Sequence, residues 1–332
     1  MEKISITTMN ETKTKEPGLL LYAKRSGPTS FNALWDIKKA LDTKKIGHTG
    51  TLDSFAEGLL VVLSNGATKL VSHVTNFDKK YEAIIAFGQE TDTLDPLGTI
   101  ISESDFPSKE ALEKTLENFT GKIEQRPPIY SSIYVQGKRA SDLARDGEEV
   151  ALKKRLVEVY SLELLEVDNP DAIRFAHIRA HVSKGTYIRS LARDIAKSMG
   201  LCAHLARLRR TSVGPFSLED AVFFEQLSPF NLSQLQTPVA TIKTNLEKLP
   251  WQNIKDACLA LGETEAKAMG FSTRILKKIF EKNFSKGMNL EENWFSSPIP
   301  EDESLIFSQE NQFLGAIKNI NQKLSYSFVI KT

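Results

Sequence analysis

Runs and alternations of apolar residues divide most of the chain into predicted strands and helices. Strands are indicated where apolar residues run together, or alternate with polar ones, between turn-forming residues. The segments of this kind are 18–27, GLLLYAKRSG; 58–64, GLLVVLS; 79–89, KKYEAIIAFGQ; 155–168, RLVEVYSLELLEVD; and 173–183, IRFAHIRAHVS. The segment 126–137, RPPIYSSIYVQG, contains a double proline and is predicted to begin as extended chain before it pairs as a strand.

Apolar residues at helical spacing predict helices over 29–42, 67–77, 108–121 and 185–200. Thr29 or Ser30 can cap the first helix, and Ser108 can cap the third, because their side-chain oxygens accept hydrogen bonds from free backbone N–H groups. Strands and helices alternate irregularly along the chain. This order predicts an α+β fold with a largely antiparallel sheet.

The same patterns predict how the chain divides into domains. Residues 1–17 are polar and are predicted to form a flexible extension. A large first domain is predicted to follow over 18–228. A connector spans 229–248, and a C-terminal domain spans 249–332. Within that last domain, helices are predicted over 253–270 and 272–282, and a β-hairpin or meander over 305–330.

Composition narrows the class of protein. Of 332 residues, 41% are hydrophobic and 26% are charged, as in globular domains that bury a core. No apolar run approaches the roughly 20 residues of a membrane span, and the polar start lacks the core of a signal peptide. Cys202 and Cys258 lie far apart without metal-ligand spacing, so free thiols and no metal site are predicted. A cytoplasmic protein without a membrane contact is therefore expected.

Charge is distributed unevenly along the chain, although the net charge is only +1. Between Arg179 and Arg210 there are eight Lys or Arg residues against one acid, Asp194. Such a local excess predicts a polyanion-binding surface on one face. A merely solvated helix face is the alternative.

Candidate chemistry centres on residues 44–63, KKIGHTGTLDSFAEGLLVVL. Asp53 could be a turn residue, or a carboxylate that is presented to a ligand. Glycines in its loop allow close approach of the backbone to a ligand. An arginine fork can keep a carboxylate ionised and oriented, and Arg189 opens the basic helix. The two residues are 136 positions apart, so the sequence alone leaves their contact open.

Aromatic and histidine residues near these segments have two interpretations. Tyr81, Tyr130, Tyr134 and Tyr187 could be ordinary packing residues, or could stack on nucleic-acid bases. His48 lacks further metal ligands nearby, so a metal role is set aside. Beside a polyanion site its flat ring could instead fill the gap left by an extruded base.

Four motifs resemble those of one enzyme family. GHTGTLDSFAEGLL resembles the GHxGTLDPxAxGLL signature of the TruB family of tRNA pseudouridine synthases. KKYEAIIAFGQETDTLDPLG and QRPPIYSSIYVQGKRASDLARDGEEV are similar to two further family segments. HVSKGTYIRSLARDIAKSMGLCAHLARLRRTSVGPF resembles the family's SKGTYIR…LRRT run. The motifs keep the family's order and spacing over roughly residues 18–225.

The resemblance implies an enzyme that isomerises uridine 55 in the T-loop of tRNA to pseudouridine, with no cofactor and no metal. It implies a pseudouridine synthase core with a mixed, mostly antiparallel sheet, and a small PUA-like RNA-binding β-barrel at the C-terminus. Transfer RNA is the implied partner, with no obligatory protein partner, and a monomer is expected.

The resemblance also implies roles for residues in matching positions. Asp53 is the implied catalytic carboxylate, which attacks the ribose C1′ or the pyrimidine ring, or assists a glycal-type path. Arg189 pairs with it, and Tyr81 stacks on the uracil and takes part in proton removal at C5. His48 fills the space of the flipped nucleotide. The other implied substrate-binding residues, with Arg209 and Arg210 on phosphates, are Lys24, Lys69, Asp95, Tyr187, Leu208, Arg209 and Arg210.

Two departures from the family pattern keep other functions open. Ser54 stands where the family has proline, which predicts a more mobile loop after Asp53, and near the start only Lys24 survives from the family's L-D-K-P. An RNA-binding protein without catalysis is one alternative. A sugar or nucleoside hydrolase is another, and it requires a second carboxylate, for which Glu57 is the near candidate.

Overall fold

The computed structural model describes residues 16–135, 137–147, 152–236 and 250–330. The predicted N-terminal extension lies almost wholly outside the described residues, and so does most of the predicted connector. Within the described part, no helix is long and apolar enough to cross a membrane.

The described residues form eighteen strands and eight α-helices. The first nine strands are β1 Gly18–Lys24, β2 Ile46–His48, β3 Glu57–Ser64, β4 Lys79–Phe87, β5 Gln89–Thr91, β6 Ile100–Glu103, β7 Gly121–Gln125, β8 Tyr134–Val135 and β9 Lys138–Arg139. The other nine are β10 Arg155–Val167, β11 Phe175–Val182, β12 Ala203–Val213, β13 Phe216–Ser217, β14 Leu259–Ala260, β15 Ser272–Ile275, β16 Asp302–Phe307, β17 Phe313–Ile320 and β18 Lys323–Val329. The helices are α1 Ser30–Ala40, α2 Val71–Thr75, α3 Lys109–Glu117, α4 Ala140–Arg145, α5 Ile188–Ser198, α6 Trp251–Ala257, α7 Glu263–Ala268 and α8 Glu281–Ser285.

One large sheet organises the protein. Its strands lie in the order β14-β1-β3-β12-β4-β11-β10-β7, with β2 on β3 and β13 on β12. All strand pairs in it are antiparallel except β3 with β12, which run parallel. The sheet is mixed and mostly antiparallel, and helices pack on it, so the predicted α+β fold is confirmed.

Local sequence explains where the elements begin. Thr29 caps α1 by accepting a hydrogen bond from the backbone N–H of Asn32 at 3.1 Å, and Ser108 caps α3 in the same way with Ala111 at 3.3 Å. The apolar run Leu59–Leu63 lies in β3, all eight residues of which are buried, as expected for a strand covered on both faces. Two large apolar clusters form most of the core, one that joins α1 to β1 and β3 and one that joins α5 to β4 and β11.

The structure corrects two predictions from the sequence. Residues 272–282 were expected to be helical, but 272–275 form β15, which pairs with β16, and α8 starts only at Glu281. In 126–137 the strand shrinks to the two residues of β8. The helix predicted over 185–200 is present as α5, which ends at Ser198, and residues 203–213, for which no element was predicted, form the central strand β12.

The C-terminal residues form a four-stranded sheet in the order β15-β16-β17-β18. The predicted meander is present as β16 to β18, but among the described residues β15 and β18 do not pair, so the predicted barrel is not confirmed. Side chains of β16 and β17, including Leu305, Phe307 and Ala316, share one apolar core with β1 and β3. The domain boundaries at 228 and 248 stay a prediction.

Gly58 lets the parallel strands β3 and β12 approach each other. It has φ +113°, and a Cβ built there would lie 2.3 Å from the backbone oxygen of Arg210. A side chain at this position would be strained by the positive φ and would collide with the backbone of Arg210. The close pairing of β3 with β12 therefore depends on glycine at this position.

We expect Gly58→Ala to destabilise the protein by about 3 kcal/mol or more, because a left-handed backbone costs about 1–2 kcal/mol and overpacking adds about 1–3. Gly27→Ala is the matched control, since Gly27 also has a positive φ, +108°, but nothing lies within 4 Å of its built Cβ. Urea unfolding should show a clearly smaller loss for Gly27→Ala. Equal losses would mean that the backbone angle alone, and not the strand contact, requires Gly58.

Candidate active site

A cavity of about 590 Å³ opens beside the loop that carries Asp53. Its size is typical of a site for a small molecule or one nucleotide. Eight of the residues singled out in the sequence line it, and they are His48, Asp53, Tyr81, Tyr130, Tyr187, Arg189, Leu208 and Arg210. Residues from distant parts of the chain therefore meet in one place.

The Asp53 loop, between β2 and β3, is fastened to the segment before α1. The Ser30 hydroxyl donates to the carbonyl of Leu52 at 3.0 Å and accepts from its N–H at 2.9 Å. The Gly27 N–H donates to the carbonyl of Ser54 at 2.7 Å. These bonds constrain the backbone on both sides of Asp53 where the family uses a proline.

Arg189 holds the Asp53 carboxylate at two points. Its Nε lies 2.9 Å from Oδ2, and its Nη2 lies 3.2 Å from Oδ1. The same guanidinium donates to the carbonyls of Thr93 at 2.8 Å and Tyr130 at 2.9 Å, and its Nη1 lies 3.6 Å from Asp95 Oδ2. A buried arginine with this many acceptors is fixed in place. The contact that the sequence left open is thus formed.

The electrostatic environment of Asp53 combines opposing influences. Burial raises the pKa of Asp53 above the ordinary carboxyl value, the guanidinium of Arg189 lowers it, and the nearby Asp95 raises it again. The two-point contact still favours the ionised form and fixes its orientation. The Asp53 side chain remains 37% exposed, so a ligand in the cavity can reach the carboxylate.

Gln125 sets the position of α5, which carries Arg189. Its side-chain amide donates to the carbonyl of Tyr187 at 3.1 Å, and its oxygen accepts from the Tyr187 N–H at 2.8 Å. Gln125 is fully buried at the end of β7, and Tyr187 is the residue before α5. Sequence reasoning missed this role. The quoted motif contains Gln125, but residue type alone does not reveal a side chain that pairs with backbone.

Arg210 supports the other side of the loop. It is 1% exposed and donates from Nε to the carbonyl of Leu59 at 2.8 Å and from Nη2 to the carbonyl of Gly50 at 3.0 Å. Burial, with Arg210 nearby, lowers the pKa of His48 below its ordinary value, so this ring is neutral at pH 7. His48 thus offers the cavity an uncharged, flat surface.

Neighbouring strands supply the wall of the cavity opposite the loop. Tyr81 on β4 pairs in register with Arg210 on β12, and Leu208 lies on the same strand as Arg210. Lys79, which sequence reasoning did not single out, also lines the cavity. Its Nζ donates to the carbonyls of Thr75 and Phe77, and burial lowers its pKa to about 8. The sequence signal that could have identified Lys79 is its position, two residues before Tyr81 in the segment that resembles the family.

Four of the predicted substrate-binding residues do not line the cavity. Lys24 is fully buried and donates to the carbonyls of Arg25, Pro28 and Ala56 at 2.7–2.9 Å. Lys69 is exposed, with its Nζ 5.0 Å from the ring centroid of Phe328. The remaining two are Asp95, which lies behind Arg189, and Arg209.

Arg209 is buried in an ion pair instead of facing solvent. Its Nε and Nη2 lie 2.9 and 2.5 Å from Glu57 Oε1, and Arg207 approaches the same oxygen at 3.4 Å. Both guanidinium groups lie over the ring of Phe230, 4.8–4.9 Å from its centroid. Glu57 is committed to this cluster and does not line the cavity, so the structure gives no support to a hydrolase with Glu57 as second carboxylate.

The expected basic surface on one face is not formed. Arg179 pairs with Glu82 and Glu163, and Arg193 pairs with Asp194. Three further arginines of the segment, Arg189, Arg209 and Arg210, are buried. The prediction placed these charges on one face, whereas residues 179–210 are spread over β11, α5 and β12.

Models of protein families and several known proteins match most of this chain. A model of the N-terminal domain of TruB family pseudouridylate synthases matches residues 38–188, and one of the tRNA pseudouridylate synthase B C-terminal domain matches 189–247. A tRNA pseudouridine synthase B of Treponema pallidum is 36% identical over 94% of this chain and 96% of its own length. The chain belongs to the TruB family. The prediction of an enzyme of this family is thereby confirmed.

Other proteins are similar to this TruB-family chain over a smaller part of its length or at lower sequence identity. A tRNA pseudouridine synthase B of Treponema denticola is 46% identical, over 64% of each chain, so that match spans less than two thirds of the relative. A chain in a crystal structure of a Cbf5–Nop10–Gar1 complex is 24% identical, with a TM-score of 0.63 over 96% of this chain and 86% of that one. This likeness shows a shared fold and supports the expected pseudouridine synthase core.

Breaking the Glu57–Arg209 pair should destabilise the fold. We expect Glu57→Ala to lower the free energy of unfolding by about 3 kcal/mol, because it leaves a buried guanidinium without its carboxylate. Glu163→Ala is the control, since Glu163 is 59% exposed in its pair with Arg179, and it should cost below about 1 kcal/mol. Urea unfolding measures both changes. Similar small losses would show that Arg209 does not need Glu57.

The buried Lys24 should make stability depend on pH. Burial lowers its pKa to about 7 from 10.5, so between these values unfolding takes up a proton and the native state gains stability as pH rises. Relative to Lys24→Met, we expect the wild type to gain about 1.4 kcal/mol per pH unit from pH 7 to 10. Urea unfolding of both proteins across this range is the measurement. A constant difference between them would mean that Lys24 titrates normally.

Proposed function

We propose that this TruB-family protein isomerises uridine 55 in the T-loop of tRNA to pseudouridine. The observation that carries the proposal is the Asp53 carboxylate, held at two points by Arg189 and open to a cavity of nucleotide size. The names of the relatives, tRNA pseudouridine synthase B, support tRNA as the substrate.

The cavity wall suits one flipped base. A uridine inside a folded T-loop must leave its stack to reach a carboxylate inside a cavity, which costs a few kcal/mol. Tyr81 offers an aromatic face to the extruded uracil, and Leu208 offers an apolar surface close by. The neutral ring of His48 fits the space that the nucleotide leaves behind, because it needs no counter-ion there.

Asp53 is the group that the reaction requires. Breaking the bond between C1′ and N1 leaves positive character on the sugar, which an adjacent anion stabilises or captures. The uracil then turns and bonds to C1′ through C5, and the proton on C5 leaves. Three routes remain open for Asp53, namely attack on C1′, attack on the pyrimidine ring, and assistance to a glycal-type path.

Arg189 is the positioning group for Asp53. It opposes the effect of burial, which raises the Asp53 pKa, and so favours the ionised form that this role requires. The carbonyls of Thr93 and Tyr130 hold the guanidinium, and the motion of the carboxylate is limited in turn. Preorganisation of this kind contributes to rate without reorganisation during the reaction.

The test is incubation with an unmodified tRNA transcript, followed by chemical mapping of pseudouridine. One new pseudouridine is expected, in the T-loop. Asp53→Asn should abolish it while tRNA binding is largely kept, because the amide preserves the shape of the carboxylate but cannot act as an anion or nucleophile.

Asp105→Asn is the matched control, because Asp105 is an exposed aspartate away from the cavity, and it should leave the modification unchanged. Modification that survives Asp53→Asn would contradict the assignment of Asp53. Pseudouridine at another position of the tRNA would contradict the choice of uridine 55.

A further inference from the structure

Aromatic and lysine side chains form an exposed patch on the outer face of α1. Phe31 and Trp35 lie one helical turn apart and are 71% and 54% exposed, and Trp251 at the start of α6 is 43% exposed. Lys38 and Lys39 follow one turn further along α1. We call these five residues the aromatic–lysine patch. None of them lines the cavity.

The lysines of the patch lie against its rings. The Nζ of Lys39 is 3.5 Å from the ring centroid of Trp35 and 6.0 Å from that of Trp251, and the Nζ of Lys38 is 5.6 Å from Phe31. Cation–π contacts of this length keep the charge beside the ring. Since Trp35 remains more than half exposed, it offers solvent a flat surface with a positive charge next to it.

We propose that the aromatic–lysine patch is a second RNA-binding surface, on which unpaired bases stack on Phe31, Trp35 and Trp251 while Lys38 and Lys39 contact phosphates. Proteins that bind single-stranded nucleic acid use aromatic side chains for the bases and cations for the backbone. The proposal rests on the proposed function in taking RNA as the partner. It adds a contact outside the cavity.

Charge favours RNA over a protein as the occupant. Protein interfaces are enriched in aromatic residues but depleted in lysine, because desolvating an ammonium group is costly. Lys38 and Lys39 form no ion pair with the described residues of the chain, and the phosphates of a polyanion would neutralise their charges. The combination of exposed rings and unpaired lysines therefore fits a partner with flat bases and phosphates.

The position of the patch favours RNA as well. Ser30, the residue before Phe31, is hydrogen-bonded in both directions to Leu52, which precedes Asp53. The first turn of α1 thus adjoins the loop that carries the candidate catalytic group.

Tryptophan fluorescence tests the proposal without requiring turnover. The chain has three tryptophans, and Trp294 is buried against Phe280 in the C-terminal domain. In Trp294→Phe, all tryptophan emission comes from Trp35 and Trp251. A short single-stranded oligouridylate should quench this emission saturably, because stacking brings bases against the indoles. Heparin, which has charge but no bases, should leave the emission unchanged.

Substitutions then connect the signal to binding. Phe31→Ala with Trp35→Ala should weaken the affinity for the oligomer about tenfold or more, since one stacked base is worth about 1–3 kcal/mol. Pseudouridine formation on an isolated T-stem-loop should be unchanged. Tyr160→Ala is the control, because Tyr160 is 46% exposed on β10, five strands away from β1 in the sheet, and it should bind normally.

The outcomes separate the patch from the proposed function. Emission that RNA leaves unchanged, or that heparin quenches equally, overturns the patch proposal. An equal loss of affinity in Tyr160→Ala overturns it too. If RNA quenches the tryptophan emission but the wild-type protein forms no pseudouridine, only the proposed function is contradicted.

Discussion

The ion pair between Arg189 and Asp53 is the interaction on which the candidate site depends. A buried guanidinium needs acceptors for its N–H groups, and here they come from three separate segments, the Asp53 loop, Thr93 in the turn after β5, and Tyr130. Because one rigid group binds all three, the position of the carboxylate is set by elements that are far apart in sequence. Gln125 completes this arrangement by fixing the start of the helix that carries Arg189.

Two adjacent arginines on β12 hold the two ends of the Asp53 loop. Successive residues of a strand point to opposite faces of the sheet, so Arg209 and Arg210 act on different sides. Arg210 binds the carbonyl of Gly50 before Asp53, whereas Arg209 binds the carboxylate of Glu57 after it. The loop can therefore carry serine in place of the family's proline, since its ends are fixed by the central strand.

Sequence patterns predicted the strands and helices well where the apolar period was clear, as in β3 and α1, and the family motifs predicted that Asp53 and Arg189 would meet. These patterns failed where contacts between distant parts of the chain decide the structure. The segment that opens with Ser272 has helical spacing, but its first four residues form a strand because they pair with β16. Arg209 looked like a phosphate ligand, and only the fold reveals Glu57 beside it. A charge count cannot distinguish solvent-facing cations from buried ones.

The burial of these arginines bears on how RNA would be held. Cations that are paired inside the protein contribute little to long-range attraction, and the net charge of the chain is only +1. Affinity for a polyanion must then come from cations that remain accessible, such as Lys39 on α1, and from contacts that do not depend on charge. Base stacking is the main contact of that kind. In a nearly neutral enzyme of this family, exposed aromatic residues beside lysines thus have more to contribute than they would on a strongly basic protein.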